Sequence, residues 1–460
     1  MKRYLPALLL TCATALAADF QAGLARVKIT PPTPFWMSGY ASRTNQSVGV
    51  VQDLWAKALA VRDPQGHRIV IVTMDLIGLH SSVSDEVFAR AKKQFKLSRA
   101  DVLLCCSHTH SGPVVGLNLN VMFDFNAEDM KRVQSYTADL VDKLVNVIGD
   151  SLKDLSPAQL TVGHGTVGFT SNRRKVQPKG VTMEPNATGP VDQDVPVLKV
   201  TAPDGKLRAI FFGYACHNTT ISPRPDPELD FYKIYGDYAG FAQLAVQKAH
   251  PGAEAMFTIL CGADQNPQPR GAIEFARQHG EELAASVDKV LGAEMKPVRA
   301  PIRTAFQEIK LDFAKHTRQT FEDEIKKAEE AKRPDGKYRI RRSKLMLAAY
   351  DKNRPIRQTR YPVQAIRFGS DFTLIALGGE VVVDFALRSK REFPGENLMV
   401  IGYANDVMCY IPSLRVLKEG GYEVDTSMVY YGQPGPFAED VEEKVCKAIH
   451  QVMTKAGAGK

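Results

Sequence analysis

The chain has 460 residues, 59 Lys and Arg against 51 Asp and Glu, and a formal net charge of +8. That length exceeds the roughly 250–300 residues of one hydrophobic core, so a large domain with additions, or two subdomains, is expected. The positive excess gathers between Arg318 and Arg360 without the interleaved aromatics that stack on bases, which argues against nucleic acid and leaves attraction to an anionic surface or substrate open.

The chain opens with Met1-Lys2-Arg3, an apolar stretch from Tyr4 to Leu16 and the small residues Ala15-Leu16-Ala17, the pattern of a signal peptide over residues 1–17. The mature protein is therefore expected to be secreted or periplasmic. No segment approaches ~20 uninterrupted apolar residues, so no transmembrane segment is expected, while peripheral membrane contact stays open. Oligomeric state is not legible. Cys12 leaves with the leader, and the other cysteines (105, 106, 216, 261, 409 and 446) lack compact disulfide spacing, so they are read mostly as buried free thiols.

Phe20 to Thr30 reads as a strand, and Leu54 to Arg62 and Ile69 to Leu76 as a strand pair joined at Asp63-Pro64-Gln65-Gly66. Ser84 to Phe95 is an amphipathic helix leading into the buried run Val102 to Cys106. Arg132 to Ser151 is helical by period; Leu160 to Phe169 and Val195 to Val200 are strand-like, with a loop from Lys175 to Gly189 between them. Ala209 to Cys216 and Ala255 to Leu260 are apolar strands, and Gly240 to Ala249 and Glu274 to Leu291 are helices. Two charged helices split by Pro334-Asp335-Gly336 form a hairpin insertion over 314–360 with a solvated face. Val363 to Phe368 and Phe372 to Leu377 form a β-hairpin, Leu398 to Tyr403 a strand and Ala438 to Thr454 a terminal helix. The order predicts an α/β fold of mixed sheets covered by helices, with polar residues delivered at strand ends.

The chemistry gathers at those ends. Val102-Leu103-Leu104-Cys105-Cys106 runs into Ser107-His108-Thr109-His110-Ser111-Gly112-Pro113, and alternation along an extended strand would aim His108 and His110 at one point. His217 follows Phe211 to Cys216, Glu380 follows Leu377-Gly378-Gly379, and Tyr410 follows Asn405 to Cys409. Imidazole and carboxylate with an open position suit a catalytic Zn²⁺ better than Mg²⁺ or Ca²⁺, and hydrolysis is the natural outcome.

Taken together, Ile29-Thr30-Pro31-Pro32, Gly39-Tyr40, His108 to Pro113, Asn172-Arg173, Cys216-His217, the loop Gly262 to Pro267, Gly379-Glu380, and Tyr410 with Tyr422 resemble the neutral (non-lysosomal) ceramidases over nearly the whole mature chain. The resemblance implies a single catalytic domain of that type over 18–460. It further implies that His108, His217, Glu380 and Tyr410 are the zinc ligands, that His110 is a non-ligand histidine at the scissile group, that Arg173 faces the substrate, and that Tyr422 helps stabilise the oxyanion. The family's Gly-Asp-Val-Ser-Pro-Asn loop is matched here by Ala263-Asp264-Gln265-Asn266-Pro267, so Asn266 stands near the place of a serine. An amide cannot replace a serine nucleophile. Direct attack by a metal-bound water, with His110 as base and Asn266 donating a hydrogen bond, is the expected route, and Asp264 joins the catalytic candidates. A second departure is the lack of the family's immunoglobulin-like domain after Tyr430-Tyr431-Gly432.

The leading expectation is a zinc amidohydrolase acting on a ceramide-like lipid or a smaller N-acyl amide or ester, with Trp36 and Val121-Met122-Phe123 as candidates to line an acyl channel. The competing one is a non-catalytic or redirected member that keeps a zinc site and binds a glycan or lipid head group.

Overall fold

The computed structural model describes residues 19–221, 230–332 and 334–458; the leader read over 1–17 lies outside them. A large mixed sheet runs in the order Glu254–Ile259, Leu207–Tyr214, Asp194–Thr201, Ser156–Thr166, Phe20–Lys28, Trp55–Arg62, Arg68–Met74 and Val102–Cys106. Its two outermost pairs are parallel and its inner pairs antiparallel. A second sheet has the order Ile302–Asp312, Gln358–Phe368, Phe372–Leu377, Leu398–Ile401, and its last pair is again parallel.

Alternation along the strands explains how the sheets stack. Ile69 and Ile71 of one strand join a cluster with Leu103, Phe211, Ile366, Leu374 and Met399, which places one face of the large sheet against the small sheet. Val70 and Val72 of the same strand point the other way, into a cluster with Val87 and Leu144 of the helices Ser81–Phe95 and Ala127–Lys153. The helices Asp237–Ala249 and Ile273–Gly292 cover the other half of that outer face, and Val441–Lys455 covers the small sheet through Tyr361, Val363 and Ala365. Strands buried on both faces are apolar throughout, which is why they read as runs in the sequence. The isolated bridges Cys105–Ala404 and Leu260–Ile401 bring the strand ends of the two sheets to one edge.

One expectation changes and two details are added. Lys175 to Gly189 is not all loop: Thr170–Gln177 and Gly180–Asn186 pair as an antiparallel hairpin, unseen because its outer part is solvent-exposed and lacks apolar alternation. The strand Ile302–Asp312 alternates weakly and was hidden for the same reason. The charged hairpin does form, as helices Arg318–Ala331 and Gly336–Asp351, but one side is not solvated: Arg342 is buried against Glu324, and the Tyr338 hydroxyl donates to the Ala41 carbonyl at 2.6 Å. All six described cysteines are buried with free thiols, as expected.

Candidate metal centre and substrate cavity

The strand Val102–Cys106 stops two residues before His108, and His108 itself adopts φ +59°. The two histidines therefore converge through a left-handed turn rather than through strand alternation. Such a backbone is uncommon for a residue with a Cβ and persists only where the surroundings enforce it. Here the His108 N–H donates to the Leu76 carbonyl at 2.9 Å, and the His110 N–H to the Asn218 carbonyl at 3.3 Å. The result is an Nε2–Nε2 distance of 3.1 Å between His108 and His110.

His217 reaches the same point from the end of Leu207–Tyr214. Gly262 makes its approach feasible, since a Cβ there would sit 2.6 Å from the Cys216 nitrogen. The Gly262 carbonyl meets His217 Nδ1 at 2.9 Å, as the Ile77 carbonyl meets His108 Nδ1 at 2.6 Å. A carbonyl only accepts, so both Nδ1 atoms carry the proton and both Nε2 atoms present a lone pair. Glu380 Oε2 lies 3.2 Å from each of those Nε2 atoms and, though buried, has no hydrogen-bond partner. Its other oxygen accepts from the Tyr431 hydroxyl at 2.5 Å. Glu380 and Tyr410 pair in a two-residue parallel ladder, which sets the Tyr410 hydroxyl 3.1 Å from His217 Nε2.

Two lone pairs facing a bare carboxylate oxygen repel unless a cation lies between them. Donors on a tetrahedral ion with ~2.0 Å bonds are ~3.3 Å apart, close to the spacings found. His108, His110 and His217 form one group of donor atoms within 4.8 Å, the only such metal-type group among the described residues, and it can hold a metal ion. Electrostatics agree with the tautomers. Burial lowers His217 to about 3, assisted by the Arg173 charge, so it is neutral. Burial, and then His108 and His217, put His110 well below the usual histidine range, although one ring edge faces the cavity.

The cluster forms one end of a cavity of about 200 Å³ lined by His110, Arg173, His217, Asn266, Tyr410 and Tyr422, among others. Arg173 donates from Nε to Glu423 at 2.9 Å, from Nη1 to Asn266 Oδ1 at 3.2 Å and from Nη2 to the Tyr410 hydroxyl at 3.1 Å. Its neighbour Arg174 is also buried and shares Glu423, so neither is a surface residue. Tyr422 lies in a single π-helical turn, Tyr422–Thr426, its ring 5.5 Å from that of Tyr410.

Of the catalytic candidates His110, Arg173, Tyr422, Asn266 and Asp264, only Asp264 is kept out of the cavity lining. Its Oδ1 accepts from the Val383 N–H at 2.8 Å and its Oδ2 from Asn172 at 3.3 Å, which ties the Asn266 loop to the segment after Glu380. Trp36 also lies elsewhere, packed on Phe125 with ring centroids 5.8 Å apart, whereas Met122 does line the cavity. Tyr431, Glu423 and Arg43 went unseen in the sequence. Arg43 donates to the His110 carbonyl at 2.6 Å, and no motif marks it; Glu423 directly follows Tyr422, and a search for a partner to the buried Arg173 would have found it.

Fold and site together define a mixed α/β protein whose two sheets deliver a histidine–carboxylate cluster that can hold a metal ion to the end of a small cavity. The family model described as neutral/alkaline non-lysosomal ceramidase, N-terminal, matches residues 20–265. The chain belongs to that family. It is 24% identical over 274 residues to the neutral ceramidase of Mycobacterium tuberculosis, covering 57% of this chain and 40% of that protein. It is 26% identical over 231 residues to the neutral ceramidase of Pseudomonas aeruginosa, covering 47% of this chain and 34% of that protein. The matches thus span less than half the length of these relatives. The crystal structure of the Pseudomonas aeruginosa neutral ceramidase superposes with a TM-score of 0.71 at 19% identity, over 95% of this chain and 75% of the other. A ceramidase complexed with C2 gives the same TM-score at 18% identity.

Proposed function

We propose that this chain is a secreted or periplasmic zinc-dependent amidohydrolase that cleaves an N-acyl amide, ceramide-like or smaller. The observation that carries the reading is the unpartnered Glu380 Oε2 facing the lone pairs of His108 and His217 Nε2. His108, His217, Glu380 and Tyr410 would hold the ion, and a zinc there supplies a Lewis acid that polarises a carbonyl and lowers the pKa of water toward ~7.

The chain's own groups divide the remaining work. His110, neutral and at the cavity edge, accepts a proton from the attacking water and returns it to the leaving amine as the C–N bond breaks. Three of the five N–H donors of Arg173 are engaged by Glu423, Asn266 and Tyr410, and two are left for the substrate oxygen. Tyr422 adds a phenol on the same wall. Asn266 cannot attack as a serine would; with its Oδ1 held by Arg173, its amide nitrogen is the end available to donate to the substrate.

Purified protein should carry about one zinc per chain and hydrolyse N-acyl amides, and His217→Ala should abolish both. Full activity without metal would overturn the reading. Retained metal with ligand-induced thermal stabilisation, but no turnover on an amide and ester panel, would favour a binding protein instead.

A further inference from the structure

We infer that Arg270 makes the cavity selective for N-acyl amides whose amine part carries an anionic group, a carboxylate or a sulfonate. The inference rests on the amidohydrolase reading and names its substrate class.

Among the described residues no Asp or Glu lines the cavity, while two arginines do. Arg173 is neutralised by Glu423 at 2.9 Å. Arg270 forms no ion pair with any described residue, and its Nε is buried without a hydrogen-bond partner. Behind it lie Arg43 and the carboxyl of Asp237, whose oxygens accept from the Thr220 and Tyr238 N–H groups at 2.9 and 2.6 Å. Arg43 is buried and donates only to the carbonyls of Ser38, His110 and Phe231, with no carboxylate among its described partners. Burial lowers Arg43 to about 10, which leaves it charged at neutral pH. Two guanidinium groups without an ion-pair partner among the described residues favour an anion, and Arg270 offers the fork that matches a carboxylate or sulfonate.

Distance places that anion. Arg270 adjoins the Tyr40 hydroxyl, and the Tyr40 ring packs on His110 with centroids 4.9 Å apart. Arg270 is therefore about one phenol ring from the proton-handling histidine, the reach of an α- or β-substituent on the leaving amine. The Tyr40 hydroxyl donates to the Ile221 carbonyl at 2.6 Å, so its hydrogen does not compete for the anion. The cavity's ≈200 Å³ falls below the ~300–1,000 Å³ of pockets that swallow drug-sized ligands. A compact anionic head fits inside, and Met122 with the exposed Met183 offers apolar surface to the acyl chain.

The test compares kcat/KM of the zinc-supplemented full chain on N-hexanoylglycine, N-hexanoyltaurine and the neutral N-hexanoylethanolamine. At least one anionic amide should exceed the neutral one by about ten- to a hundredfold, and the better of the two tells carboxylate from sulfonate. Arg270→Gln should bring the ratio near one, while Arg270→Lys should keep part of it. Equal or better turnover of the neutral amide, or an unchanged ratio in Arg270→Gln, overturns the inference. Should none of the three be cleaved, Arg270 is judged by binding alone. N-hexanoylglycine or N-hexanoyltaurine should then raise the Tm of the parent protein but not of Arg270→Gln, and equal shifts in the two overturn the inference.

Discussion

At the scale of single residues, the site is organised by groups that spend their hydrogen bonds on the backbone. The Ile77 and Gly262 carbonyls choose the tautomers of His108 and His217, and Tyr431 occupies one oxygen of Glu380 so that the other is left for a cation. Asp264 shows the cost of such positioning. It is fully buried, and desolvation raises it to about 7 against an ordinary 3.8. Between those values the folded protein holds a proton that the unfolded chain has released, so the contribution of Asp264 to stability falls as pH rises from about 4 to 7, by about 1.4 kcal/mol per pH unit. Asp264→Asn should flatten that part of the profile. Urea unfolding at several pH values checks it, and parallel profiles for the two proteins would show that Asp264 is ionised throughout.

At the scale of elements, parallel strand pairs end at one edge and loops finish the site. The loop carrying Gly39 and Tyr40 illustrates how tightly it is finished. Gly39 has φ +101°, and a Cβ there would lie 2.5 Å from His110 Nδ1. Gly39→Ala should therefore displace the imidazole and lower kcat at least tenfold, an effect consistent with a misplaced general base, while leaving the zinc content near that of the parent. Metal analysis beside steady-state kinetics checks both halves. The buried strands and long helices were legible because two-sided burial leaves continuous apolar runs and amphipathic helices leave a 3.6-residue period. The hairpin Thr170–Gln177 and Gly180–Asn186 was not, although it carries Arg173, because its polar inner residues are paired by distant groups such as Glu423.

At the scale of the whole molecule, the candidate metal centre draws on residues from 108 to 431, and sequence alone could nominate His108, His217, Glu380 and Tyr410 only because each follows an apolar strand or a family motif. Their meeting point depends on how the two sheets stack, which no local pattern encodes. Residue roles are less visible still: His110 Nε2 is as near to His108 Nε2, at 3.1 Å, as Glu380 Oε2 is, at 3.2 Å. The account makes His108 a ligand and His110 the proton carrier. Zinc content and N-acyl amide turnover of His108→Ala and His110→Ala, measured side by side, test that division most directly. His108→Ala should lose the metal, while His110→Ala should keep about one zinc per chain and turn over about 10²- to 10⁴-fold more slowly; metal retained in His108→Ala, or lost in His110→Ala, would contradict it.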